Sequence, residues 1–210
     1  TLSGNLSVAM SVSPKVNVSA NRTVTITGNV ASFSNSSLLT ISGPGTLLLS
    51  ETGTTSSQTI KAFNVTAGTF ELNSSKLAFT SVGKYNVGAN GVLKFDYFNA
   101  ATFSSSAFDF VNNGVIQFAP SSTTNNDFWG NITGTGSVDI FGSAITRFSR
   151  QGTYTGGTTI NGGTVRVGAD ANLGNGGALA FDGGTHLHDA VAVRGLAVTD
   201  SAIDLVLGLA

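Results

Sequence analysis

Gly45-Thr46-Leu47-Leu48-Leu49, Gly68-Thr69-Phe70-Glu71-Leu72, Gly91-Val92-Leu93-Lys94-Phe95, Gly114-Val115-Ile116-Gln117-Phe118 and Gly136-Ser137-Val138-Asp139-Ile140 are five copies of one unit. Their glycines stand 23, 23, 23 and 22 residues apart. The second and fourth residues after each glycine are apolar in every copy, and the residue between them is Leu48, Glu71, Lys94, Gln117 or Asp139. That is a period of two with one face buried, the pattern of a half-buried strand. A helix needs apolar positions three and four apart, and no long stretch supplies them. Two further copies follow at less even spacing, Thr164-Val165-Arg166-Val167 after Gly163 and Ala178-Leu179-Ala180-Phe181 after Gly177. A sustained period of this length marks a solenoid.

One strand in about 23 residues buries nothing alone, so each copy must stack on the one before it in a parallel ladder. A coil of this length accommodates three short strands and three turns. The expected fold is all-β, a right-handed parallel β-helix of roughly nine coils, the hand following the general preference of parallel crossovers. The anchor glycines are read as turn residues that need a positive φ. The residues between the apolar pairs then form an outward ladder, with Glu71 beside Lys94 and Gln117 and Asp139 further along.

Composition narrows the function classes. The 210 residues include no cysteine, 10 Lys+Arg against 11 Asp+Glu, and 40% hydrophobic residues. A net charge of −1 offers no basic patch for nucleic acid. No apolar run approaches the length of a membrane-spanning helix, no basic amphipathic helix is present, and no signal peptide stands at Thr1. Abundant Ser, Thr, Asn and Gly with scarce Lys and Glu suit an exported protein whose long core needs no disulfides. Asn5, Asn17, Asn21, Asn35, Asn64, Asn73 and Asn131 begin glycosylation sequons, most of them expected by chance in such a composition.

The stretch Thr153-Tyr154-Thr155-Gly156-Gly157-Thr158-Thr159-Ile160-Asn161-Gly162-Gly163-Thr164-Val165-Arg166-Val167 changes character, and it continues through Asn172-Leu173-Gly174 to Gly183-Gly184-Thr185. It resembles the passenger-associated transport repeat of bacterial autotransporters, in which a Tyr-Thr-Gly-Gly-Thr-Thr-Ile-Asn core precedes a Gly-Thr strand. The match covers about 35 residues, Thr153 to Thr185. The resemblance implies a monomeric, right-handed β-helical passenger, secreted or displayed on the outer-membrane surface of a Gram-negative bacterium. It also implies a C-terminal translocator barrel in the parent chain, C-terminal coils that fold first, and a host-cell or neighbouring-cell receptor or glycan as partner. On this reading residues 1–40 are irregular N-terminal coils, 41–142 the regular repeats, and 143–210 the passenger-associated repeat and C-terminal coils of one solenoid. No barrel occurs before Ala210, so the chain is read as a fragment, a processed passenger, or a protein that borrows the repeat.

No nucleophile elbow or triad is present, and no catalytic residue, cofactor or metal is expected. His186 and His188, two apart, have only Asp182 and Asp189 as nearby carboxylates. Glu71 and Asp139 lie three coils apart, roughly 14 Å, beyond the ~5–10 Å of a glycosidase pair, whereas Asp96 and Asp109 are candidates to meet across neighbouring coils. Gly43-Pro44-Gly45 and Gly134-Thr135-Gly136 lack the helix that a phosphate loop requires. Phe128 and Trp129, preceded by Asn125, Asn126 and Asp127, are the candidate ligand site. An exposed ring beside amides is a sugar-stacking platform, and the competing reading is that these rings cap the core. A polysaccharide-cleaving β-helix and a toxin or phage-fibre segment are the alternatives to a non-enzymatic adhesive or self-associating stalk.

Overall fold

The structure, a computed structural model, describes residues 2–3, 13–27, 38–50, 58–74, 77–98, 108–120, 126–183, 185–188, 196–198 and 204–207. The chain is an all-β parallel solenoid with about six turns of ~23 residues. The described strands do not establish the expected count of nine coils. A single turn of 3₁₀ helix, Asp170–Leu173, interrupts the strands.

The repeat units stack in the register their spacing predicts. Thr23–Thr27 pairs with Thr46–Ser50, and that strand pairs with the end of Gln58–Asn73. The end of Leu77–Tyr97, Val115–Phe118 and Ser137–Ile140 follow, every pairing parallel. Leu47, Phe70, Leu93, Ile116 and Val138 therefore form one buried column. Leu49, Leu72, Phe95, Phe118 and Ile140 form a second. A second ladder joins Lys15–Asn17, Leu39–Ser42, the first halves of the two long strands, Phe108–Asn112 and Gly130–Thr133. A third joins Asn126–Phe128, Ile145–Phe148, Thr164–Val167, Thr185–His188 and Asp204–Leu207.

The third ladder corrects the repeat series. The rung after Ser137–Ile140 is Thr158–Ile160, with Val138 on Thr158 and Ile140 on Ile160, and Leu179–Phe181 comes next. Thr164–Val167 lies instead on Ile145–Phe148. The coil shortens here, so the Thr-Thr-Ile of the motif carries the first ladder onward and its Gly-Thr-Val-Arg-Val strand has already turned the corner. The His186-Leu187-His188 segment continues the third ladder, because Thr185–His188 pairs with strands on both sides. The alternating stretches Leu6-Ser7-Val8-Ala9-Met10 and Ala190-Val191-Ala192-Val193-Arg194, which read as strands in the sequence, lie outside the described residues.

The anchor glycines also need a different explanation. Of Gly45, Gly68, Gly91, Gly114 and Gly136, Gly68 alone has a positive φ, 71°. What excludes a side chain is the rung beneath. A Cβ on Gly136 would stand 2.2 Å from the Gly114 carbonyl oxygen, and one on Gly114 would stand 2.3 Å from those of Gly88 and Gly91. Close backbone approach, rather than left-handed backbone, fixes the 23-residue glycine period.

The core is rich in rings. Phe95 and Phe118 stack at 5.3 Å, Tyr85 and Phe110 at 5.1 Å, and Phe128 meets Phe118 edge-on at 4.8 Å. Some buried polar groups in this core have partners, whereas Thr146 Oγ1 has none among the described residues. Tyr85 Oη donates to the Ile60 carbonyl at 2.7 Å. Asn112 Nδ2 donates to the Ser137 carbonyl at 2.8 Å, and Asn112 Oδ1 accepts from Gly114 N at 3.1 Å. Such pairing keeps a buried amide or phenol from costing its full desolvation penalty.

Candidate functional site

The sequence candidates separate in the structure. Asn126 and Phe128 are 0% and 1% exposed. The strand Asn126–Phe128 points both of them inward, and the Asn126 amide donates to the Ile145 carbonyl at 3.1 Å. A ring with no exposed face stacks on no sugar, so Phe128 and Asn126 are corrected from ligand contacts to core residues. Trp129 is half-buried and packs against that core. Asn125 lies outside the described residues.

The outward ladder holds a charge cluster. Lys94 Nζ lies 3.1 Å from Glu71 Oε1 on the preceding rung and 2.9 Å from Asp96 Oδ1 on its own. Leu72 pairs with Phe95 and Asn73 with Tyr97, so Asp96 is the extra residue of a bulge, and bulges re-aim side chains. A hydrogen bond to Asp96, and then burial, hold the Glu71 carboxyl above its usual range despite Lys94. Burial pulls the Lys94 ammonium down, but its bonds to Asp96 and Glu71 prevail and its pKa is raised. Burial also raises Asp139, which a hydrogen bond from Gln117 only partly offsets. Asp96 thus meets Glu71 and not Asp109, the expected partner. Asp109 sits in the second ladder, where Asn131 Nδ2 donates to it at 3.2 Å.

The motif segment builds a corner. Tyr154 is buried, and its hydroxyl lies 2.6 Å from Thr158 Oγ1. Thr158 Oγ1 in turn donates to the Leu173 carbonyl at 3.3 Å, which makes Tyr154 the donor to Thr158. The Leu173 end of the Asp170–Leu173 turn is thereby tied over the ring. Gly174 closes it at φ 87°, where a Cβ would stand 2.7 Å from the Tyr154 carbonyl oxygen.

Beside this corner lies a groove of about 670 Å³. Asn131, the Ser149–Gln151 turn with Thr153, and Gly168, Ala169 and Asn172 line it, so three successive turns contribute. Sequence reasoning passed over this groove. Asn131 carries no signal in the sequence beyond its sequon, and Arg150 carries none. Among the described residues no three or more His, Cys, Asp or Glu gather as a metal would require. His186 and His188 pair by register with Val165 and Val167. Among the described residues no helix is long and apolar enough to cross a membrane.

Comparison with family models, curated proteins and solved structures finds no match.

Proposed function

We propose that this chain is a non-enzymatic β-helical stalk from a secreted or surface-displayed autotransporter passenger, with an adhesive or self-associating role. The observation that supports it is the Thr153–Thr185 segment. Its Tyr154, Thr158 and Gly174 make the corner that locks Asp170–Leu173 in place. Right-handed winding, roughly nine coils, a monomeric state, a translocator barrel in the parent chain and a cell-surface receptor or glycan as partner belong to the same proposal. The Glu71–Lys94–Asp96 cluster does not favour a polysaccharide-cleaving reading. Both its carboxyls are engaged by the one Lys94 ammonium, at 3.1 and 2.9 Å, whereas a glycosidase pair stands ~5–10 Å apart around the scissile bond.

The test is fractionation of cells expressing the native parent, probed with an antibody against this chain. The expected result is a much larger species whose C-terminal portion stays with the outer membrane. A free species with no membrane-borne partner, or a stable trimer on sizing, would count against it. Deleting Thr153–Gly168 should also leave the upstream coils protease-sensitive, since the C-terminal coils are proposed to fold first. Resistant upstream coils would refute that role.

A further inference from the structure

We propose that the groove over Asn131, Arg150 and Asn172 binds a saccharide bearing a carboxylate, as in a uronic-acid chain. The proposal stands on the groove alone and does not depend on the stalk reading. Arg150 is the one charged side chain among the described residues of its lining. Among the described residues no carboxylate pairs with Arg150. A guanidinium of this kind offers a planar fork of donors that matches a carboxylate.

Beside it, Ser149 Oγ is shut off from water and has no hydrogen-bond partner among the described residues. That atom faces the protein rather than the groove, so it is not among the groups that would meet a ligand. Asn131, Gln151, Thr153 and Asn172 add amides and a hydroxyl, the groups that read sugar hydroxyls. One amide hydrogen of Asn131 is engaged by Asp109, and Asn172 Oδ1 accepts from Ala169 N at 2.7 Å. The donors of the Asn172 amide group and the second amide hydrogen of Asn131 are not used by those bonds.

Geometry selects a carbohydrate over an acidic peptide. An extended peptide gains affinity by adding to an unpaired strand edge, but Thr164–Val167 is paired on both sides, and Gly130–Thr133, paired with Phe108–Asn112 on one side, has its Ile132 carbonyl taken by Thr153 N at 2.8 Å on the other. Among the described residues the lining offers no large apolar side chain to anchor a peptide and no aromatic ring, so recognition rests on charge and hydrogen bonds. Three rungs at about 4.8 Å span about 10 Å along the axis, the length of a disaccharide. A Cβ on Gly168 would meet nothing within 4 Å, which leaves that side of the groove open.

The test is calorimetric titration of the 210-residue chain with tri-galacturonate and with its uncharged methyl ester. Tri-galacturonate should bind about 10- to 100-fold more tightly than the ester, the worth of one charged hydrogen-bonded contact. Arg150→Gln should erase that preference, and Gln151→Ala should weaken both ligands several-fold. Should Arg150→Gln fail to fold, Arg150→Lys carries the comparison, and the lost fork should shrink the preference while the retained charge keeps part of it. Absence of binding, equal affinity for acid and ester, or an Arg150 variant with unchanged preference would each overturn the proposal. So would an acidic heptapeptide that binds as tightly as tri-galacturonate.

Discussion

Gly136→Ala separates the two explanations of the glycine period. Gly136 has no positive φ, so a conformational account expects Ala to be tolerated, with the slight gain that Ala normally brings over Gly in a strand. The packing account expects the reverse. The new Cβ would stand 2.2 Å from Gly114 O and 2.7 Å from Asn112 Oδ1, where contacts below 3.0 Å force movement. Relief to 3.0 Å needs a shift of about 0.8 Å (3.0 − 2.2) at Gly114. Gly136 N now donates to Asn112 O at 2.9 Å and Ser137 N to Gly114 O at 3.0 Å. The same shift stretches both to about 3.7–3.8 Å, beyond a useful hydrogen bond. Two bonds at ~1 kcal/mol each, plus ~1–3 kcal/mol for a disturbed buried Asn112 amide, give about 3–5 kcal/mol. The Ala-over-Gly gain of ~0.5 kcal/mol trims this to about 2.5–4.5 kcal/mol. The assay is urea unfolding followed by far-UV circular dichroism, with Gly168→Ala as control, because its Cβ meets nothing within 4 Å and its φ is ordinary. Gly168→Ala should be neutral or slightly stabilising. If Gly136→Ala unfolds at the wild-type midpoint, close approach does not set the repeat.

Tyr154→Phe should cost about 1–2 kcal/mol by deleting the hydroxyl bonded to Thr158. Tyr154→Ala should cost about 3–5 kcal/mol by emptying the corner, and thermal melts of both variants check the gradient. Phe128→Ala should likewise cost about 3–5 kcal/mol, more than Trp129→Ala, and an order reversed in denaturant titration would put Phe128 outside the core. Glu71 and Asp139 have raised folded-state pKa values, from ordinary values of 4.5 and 3.8. Their favourable contribution is therefore complete below those values and is lost as pH rises through the folded-state ones. Glu71→Gln should match the wild type at pH 3.5 and gain relative stability toward pH 7, and paired urea titrations at the two pH values that show a relative loss would refute the sign.

The ladders were legible wherever the period held. The columns through Leu47 and Leu49 follow from glycine spacing and alternation alone, because a rung slipped by one residue would turn every apolar side chain outward. Legibility failed where the coil shortened. Between Val138 and Thr158 the pairing step is 20 residues, so the unit that looks most like a repeat, Gly163-Thr-Val-Arg-Val, was placed in the first ladder when it belongs to the third. Alternation identifies a strand but not which face of the solenoid it occupies. Only the turn lengths carry that information, and turns of Ser, Thr, Asn and Gly accept many lengths at similar cost.

The same limit explains the sites. Phe128 and Trp129 stood out because aromatic residues are rare beside a run of amides, yet one residue of phase on a strand decides whether a ring is wet or buried. The strand Asn126–Phe128 alternates buried, partly exposed, buried, and so gives the phase that removes Phe128. The groove has the opposite character. Its members are ordinary polar and small residues at 131, 149–153 and 168–172, with steps of roughly 20 residues, one coil here. None is unusual in the sequence. They become a site only because Asn131 on the strand Gly130–Thr133 and the turns that follow it one and two coils later meet at one corner, with Tyr154 and Thr158 holding the last of them, Asp170–Leu173, against the coil. A parallel solenoid thus converts a coil-length spacing of unremarkable residues into a surface, and the residues to look for in such a chain are the polar ones that recur one coil apart at a corner.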